Sequence, residues 1–237
     1  MRPFDPDAPL VFIHVPKTAG ASTREVFADW FGPGLIRHYF DEVAGRPPQR
    51  DERFAHHGRS APVCVYGHFN RNRGFGVTDT YPDATQFVTL LRDPFEMACS
   101  GYFFTRKVGA IWKDRSRVPT GDLASHLDAT APNMLNHFPC VVTAENYREV
   151  IATHFVAIGV TERLGESLQR IATAIGRRFD PTRLPRLNAT ERPMERPVDG
   201  PDLGGLRARY RARHPLEFAV YDHVRWMFDR QGSSRES

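Results

Sequence analysis

The stretch LVFIHVPKTAGAST, Leu10 to Thr23, decides the fold. Its first half is a short apolar, β-branched run ending in Pro16, and such a run reads as a buried strand rather than a helix. Its second half is a turn of small residues in which Ser22 is placed to cap a helix running to about Phe31. Val26, Phe27, Trp30 and Phe31 fall on one face of that helix, and Gly32, Pro33 and Gly34 stop it. A strand, a turn and a helix in this order are the unit of a parallel α/β sheet.

Outward from this unit the same signals recur. Val63 to Tyr66 and Gln86 to Leu91 read as further short strands, the latter followed by Asp93 and Pro94, a cap and first-turn proline for a helix to about Arg106. Phe155 to Val160 is a fourth strand, leading into a helix with Leu164, Leu168, Ile171 and Ile175 on one face. Residues 32 to 62 mix Pro, Gly, Arg and Asp without periodicity and read as a long irregular excursion with room for a short helix. Thr120 to Thr153 reads as mainly helical, and helical spacing returns from Pro215 to about Arg230. The expected architecture is α/β, a central parallel sheet flanked by helices. A chain of 237 residues, 41% hydrophobic and 25% charged, fits one domain over residues 1–231, with GSSRES (232–237) a disordered tail.

Bulk properties narrow the chemistry. The ten histidines include no HExxH, and Cys64, Cys99 and Cys140 form no CxxC pair, so reduced thiols and no metal site are expected. Leu10 to Val15 is too short to span a bilayer and is preceded by two Asp and three Pro rather than a basic leader, so no membrane span and a cytoplasmic location are expected. The net charge is +4, but the basic residues are interleaved with 28 acids, so a small anionic ligand explains it and no nucleic-acid partner is expected. Of the 32 basic residues only Lys17, Lys107 and Lys113 are lysine, which singles out Lys17 in the first turn.

In a parallel sheet, ligands sit beyond the carboxyl ends of the strands, where helix N-termini offer free amides. The turn Lys17, Thr18, Ala19, Gly20, Ala21, Ser22 and Thr23 occupies that place. Its small residues let the backbone wrap a phosphate, Thr18, Ser22 and Thr23 offer hydroxyls, and Lys17 offers a charge. A plain turn before a helix would look similar, and the Walker A pattern GxxxxGK[ST] is absent, since Lys17 precedes the glycine. A second cluster, LLRDPFEMACS (Leu90 to Ser100), has Arg92 at a strand end and Ser100 about two turns into the next helix, from where both reach one anion; the alternative is that Arg92 pairs with Asp93 or Glu96. The third is VYGHFNRNRGFG (Val65 to Gly76), where His68 follows a strand end and a glycine. A general base needs a pKa near working pH, which makes histidine the economical choice, although a histidine merely hydrogen-bonded in a loop would read the same way. His14, inside the first strand, reads as structural, and His56 and His57 are second choices for the base.

Taken together, FIHVPKTAGAST, VTLLRDPFEMACSGY, AIGVTERLGESL and PLEFAVYDHV, in that order, resemble the sulfotransferases of the heparan-sulfate 2-O and 6-O type and their bacterial relatives, over nearly the whole chain. The resemblance implies a P-loop-kinase-like sulfotransferase fold, 3'-phosphoadenosine 5'-phosphosulfate (PAPS) as donor without a metal, a 5'-phosphosulfate loop at Lys17 to Thr23, a 3'-phosphate site at Arg92 and Ser100, and His68 as catalytic base. It also implies that LNATER, Leu187 to Arg192, closes over the nucleotide through Asn188 and Thr190. The 2-O pattern reads His-Gly-His where this chain has Tyr66, Gly67 and His68. The implied acceptor is a hydroxyl compound, with saccharides among the candidates. Arg71, Arg73, Arg106 and Lys107 would suit negative charge on it, and Phe69, Phe75 and Phe103 would suit a stacked ring. Two rivals are a P-loop-like kinase using a nucleoside triphosphate, with Asp93 on Mg²⁺, and a nucleotide-binding protein without turnover.

Overall fold

In the computed structural model, which describes residues 1–41, 44–109, 116, 118–184 and 202–233, the opening run is strand β1, Leu10–Ile13, with all four side chains buried. It lies at the centre of a five-stranded sheet with β2 (Leu35–His38), β3 (Cys64–Gly67), β4 (Phe87–Leu91) and β5 (Phe155–Val160), in the order β2-β3-β1-β4-β5. All pairings are parallel, and Ile13 stands opposite both Gly67 and Thr89, so the three central strands end nearly level. From β1 the chain builds β2 and β3 on one side and β4 and β5 on the other. The carboxyl end of β1 is therefore the topological switch point, where an open α/β sheet forms its crevice.

Alternation along the strands feeds two cores. Leu10, Phe12, Cys64, Tyr66, Val88 and Leu90 face α1 (Gly20–Phe31) and α6 (Leu164–Ala174), which bury Val26, Phe27, Leu168 and Ile171 against them. Val11, Ile13, Val65, Phe87 and Leu91 face the opposite way, onto α5 (Tyr147–His154) and α8 (Pro215–Ser233) through Val150, Ile151, Val220 and Val224. Side chains of this size contribute about 1.5–3 kcal/mol each when fully buried, which is why strands covered on both faces read as unbroken apolar runs. The short helix α2 spans Val77–Thr80. A third cluster joins α3 (Pro94–Gly109), α4 (Leu123–Ala129), α7 (Leu203–Arg213) and α8 through Phe95, Tyr102, Leu127, Leu206, Tyr210 and Phe218.

Four sequence expectations are revised. The excursion at 32–62 holds a short 3-10 turn, Glu52–Phe54, but also the edge strand β2, whose four residues Leu-Ile-Arg-His are too few and too mixed for an apolar pattern. Helix α1 begins at Gly20, not after Ser22; its cap is Ala19 in the left-handed region, with no side-chain cap bond. The segment Thr120 to Thr153 is helical only at α4, at a 3-10 turn Met134–His137 and at α5. Helix α7 went unseen because LGGLRARYRAR buries only Leu206 and Tyr210. The three cysteines are free, with Cys64 and Cys99 buried. No helix among the described residues is long and apolar enough to cross a membrane.

Candidate active site

Lys17, His68 and Arg92 each follow the carboxyl end of one of the three central, adjacent strands β1, β3 and β4. The loop after β1 is held in an unusual backbone form: Lys17 and Ala19 both take the left-handed region, with φ of 68° and 60°. For residues with a Cβ this costs on the order of 1–2 kcal/mol each, and alternating left- and right-handed residues turn successive amides into one concavity, a form that binds anions. Two of the three expected hydroxyls hold the loop itself. Thr18 Oγ1 donates to the Val15 carbonyl at 2.7 Å and Thr23 Oγ1 to the Ala19 carbonyl at 3.1 Å, while Ser22 is buried in the first turn of α1. Tyr66, where the resembled pattern has a histidine, is fully buried and donates to the Gly20 carbonyl at 2.8 Å, bracing the loop from below. Gly20 is required by contact, since a Cβ there would lie 1.6 Å from His14 Nε2.

Arg92 reaches the same loop, donating from Nη1 to the Lys17 carbonyl at 3.1 Å. Burial, and then the Arg92 charge, lower the Lys17 pKa to about 8. The carboxylates considered as rivals for Arg92 are engaged elsewhere: Asp93 Oδ2 pairs with Arg207, Asp93 Oδ1 caps α3 by accepting from the Glu96 amide at 3.1 Å, and Glu96 lies 3.7 Å from Arg207. Ser100 is 9% exposed within α3. Two cations thus meet at one tightly turned loop, an arrangement whose mutual repulsion a bound anion relieves.

His68 is held in place from two directions. Its backbone amide donates to the His38 carbonyl at 2.9 Å, and its Nδ1 lies 2.6 Å from the His14 carbonyl. A carbonyl only accepts, so Nδ1 carries the hydrogen and Nε2 keeps its lone pair. Gly67 permits this approach, since a Cβ there would meet the His38 carbonyl oxygen at 1.8 Å. The His68 ring stacks on that of His14 at 4.2 Å, and Tyr39 meets it edge-on at 4.9 Å while also bonding His14 Nδ1 at 3.1 Å. Burial lowers the His68 pKa from its ordinary value, and the His14 carbonyl opposes that shift.

The surrounding histidines stay neutral. Burial pushes His14 well below the usual range, His38 to about 4 and His137 to about 3. His137 is one site residue that no sequence motif singles out. It sits on the Met134–His137 turn with its ring 6.3 Å from that of His68, is 2% exposed, and finds no hydrogen-bond partner for either ring nitrogen among the described residues. The Phe69 backbone lies near enough to favour its charged form slightly, so at least one nitrogen is left unpaired even if Phe69 is credited with the other. Such a group costs about 1–3 kcal/mol. The turn that carries it is held on both sides of one residue: Glu217 Oε1 accepts the Leu135 N–H at 3.4 Å and Arg71 Nη2 donates to the Leu135 carbonyl at 3.1 Å.

Other sequence candidates fall elsewhere. His57 lies at the amino ends of the strands with both nitrogens occupied, Nδ1 accepting from the Val63 amide at 2.9 Å and Nε2 donating to the Pro6 carbonyl at 3.0 Å. His56 Nδ1 donates to the Glu52 carbonyl at 2.9 Å. Phe69 and Phe75 are buried, Phe69 stacking on His38, so neither presents a face for an acceptor ring; Phe103 is half-buried. Arg73 lies over Phe40 and Phe75, and Arg106 donates to Tyr102 Oη. Asn188 and Thr190 lie outside the described residues. Among the described residues no group of three or more His, Cys, Asp or Glu is arranged to hold a metal ion.

No family model matches the sequence, and no curated protein does. Among solved structures, the chain is similar to a mouse sulfotransferase complexed with PAP (TM-score 0.44, 14% identity, 75% of this chain and 61% of that one). It is similar to a sulfotransferase from Alicyclobacillus acidocaldarius (TM-score 0.48, 12% identity, 94% and 96%). A third is retinol dehydratase in complex with androsterone and inactive cofactor PAP (TM-score 0.39, 14% identity, 77% and 63%). The chain thus spans less than two thirds of the mouse enzyme and of retinol dehydratase and nearly all of the Alicyclobacillus one.

Proposed function

We propose that the chain transfers a sulfuryl group from PAPS to a hydroxyl of an acceptor, with carbohydrates as the first class to try. The observation that carries this reading is the convergence of Lys17, Arg92 and the Nε2 lone pair of His68 at the ends of three adjacent strands. The cation pair and the loop suit a nucleotide with two anionic groups, with Lys17 to Thr23 at the 5'-phosphosulfate and Arg92 with Ser100 at the 3'-phosphate. His68 Nε2 takes the proton of the acceptor hydroxyl as that oxygen bonds to sulfur. Lys17 meets the charge that gathers on the bridging oxygen as its bond to sulfur breaks and it leaves with the 5'-phosphate, so its role grows toward the transition state. With its pKa at about 8 it remains mostly charged at pH 7. The kinase reading is weakened because Asp93 is engaged by Arg207 and by the α3 cap, away from any Mg²⁺ role.

The test has two parts. The product nucleotide 3'-phosphoadenosine 5'-phosphate should raise the melting temperature and Mg²⁺-ATP should do much less, since a ligand of the folded state stabilises it. Equal shifts would favour the kinase. His68→Ala should then reduce sulfuryl transfer about 10²- to 10⁴-fold while nucleotide affinity is kept. Transfer within about threefold of wild type would remove His68 as the base, and nucleotide binding without any transfer would leave a binding protein.

A further inference from the structure

Lys17 does not extend freely over its loop. Its Nζ lies 3.5 Å from the ring centroid of Phe104, a residue that no motif singles out. Phe104 lies on α3 one turn beyond Ser100, and residues four apart share a helix face, so the helix that brings Ser100 to the site also brings the ring under Lys17. Phe104 is 37% exposed and belongs to none of the three cores, so burial does not account for its place. An ammonium over an aromatic face is attracted by the ring quadrupole, more strongly as water is removed.

We propose that Phe104 is a positioning residue for Lys17, its ring holding the ammonium charged and beside the loop before a ligand arrives. The proposal rests on the reading of Lys17 to Thr23 as the donor site. Two effects follow. A lysine free in solvent would lose most of its rotamer freedom on meeting an anion, whereas one already resting on a ring has lost much of it beforehand. The ring also favours the charged form against burial and Arg92, which both push Lys17 toward neutrality.

Phe104→Leu keeps the bulk and removes the quadrupole, and Phe104→Tyr keeps both. With only three lysines in the chain, ¹³Cε-labelled lysine gives few signals, and that of Lys17 is the one absent in Lys17→Arg. The Lys17 titration midpoint should fall by roughly half to one and a half units in Phe104→Leu and return in Phe104→Tyr. A fall of about one unit from a value of about 8 lowers the charged fraction at pH 7.5 about threefold and at pH 6.5 by only about a fifth. Calorimetry with 3'-phosphoadenosine 5'-phosphate should therefore show weaker affinity in Phe104→Leu, by about two- to threefold more at pH 7.5 than at pH 6.5, where the lost preorganisation is most of what remains. An unmoved midpoint in Phe104→Leu overturns the proposal, as does equal weakening at both pH values. A merely structural ring would lower the melting temperature and leave the midpoint where it was. Should the leucine variant not fold, Phe104→Met supplies the same comparison. If wild type binds no nucleotide, the donor reading fails, while the lysine midpoint still decides the Phe104–Lys17 pair.

Discussion

Replacing His137 with Phe should make the protein more stable, and increasingly so as the pH falls. The imidazole is 2% exposed with its ring nitrogens unpartnered among the described residues, and phenylalanine fills a similar space with nothing to pair. At about 1–3 kcal/mol for a buried group left unpaired, His137→Phe should gain of that order at pH 7, less whatever a slightly larger ring costs in fit. A second gain is proton-linked. Burial holds His137 at about 3 in the fold, and then the His68 charge adds to the effect, while the unfolded chain titrates near 6.5. The unfolded state therefore takes up the proton first. Stability from this group is complete above pH 6.5 and is lost as the pH falls from there toward 3. By pH 5 the loss is about 1.5 units at 1.36 kcal/mol each, roughly 2 kcal/mol, and the variant escapes it. Buried Glu217, pushed up to about 7, runs in the opposite sense, adding stability as the pH falls below 7, but it is present in both proteins and cancels in the difference. Urea unfolding of both proteins at pH 7 and pH 5 measures the effect. A variant less stable than wild type at pH 7, with a gap that does not widen at pH 5, would show that His137 has a partner in the fold.

Three further outcomes follow from the site. Gly20→Ala should lower the melting temperature and abolish nucleotide binding together, because the new Cβ would occupy the place of the His14 ring at 1.6 Å; a wild-type melting curve would refute the contact. Arg92→Ala should weaken 3'-phosphoadenosine 5'-phosphate by isothermal titration while hardly changing adenosine 5'-phosphosulfate, which lacks the 3'-phosphate; parallel losses would make Arg92 a brace for the Lys17 carbonyl instead. Lys17→Ala should reduce the turnover number more than donor affinity, since the charge it meets develops with bond breaking. A loss confined to affinity would leave it a binding residue only.

The central strands were legible because burial on both faces writes itself as a continuous apolar run: LVFI and FVAIGV in sequence are β1 and β5 in the fold. The edge strand β2 left no such mark, since only Ile36 and His38 of its four residues are buried. The start of α1 was misjudged for a related reason. A serine near a helix start usually signals a side-chain cap, but here the cap is a backbone feature, Ala19 in the left-handed region, which no residue type announces when glycine is not used. The positions of Lys17, Arg92 and His68 at strand ends were readable because strand ends were. What held them was not: Phe104, Tyr39 and His137 come from α3, the segment after β2 and an isolated 3-10 turn, and are joined to the site only by tertiary packing.

The depressed pKa of Lys17 also makes it a chemical handle. An amine reacts with acylating reagents only in its neutral form. At pH 7.5 about a quarter of Lys17 is neutral if its pKa is about 8, against roughly a thousandth of an ordinary lysine. A limiting amount of an activated ester should therefore acylate Lys17 well ahead of a lysine of ordinary pKa, as peptide mapping by mass spectrometry would read. Bound nucleotide, by pairing with the ammonium, should protect it. The group that steadies charge in the proposed reaction is thereby also a side chain at which the protein can be covalently marked.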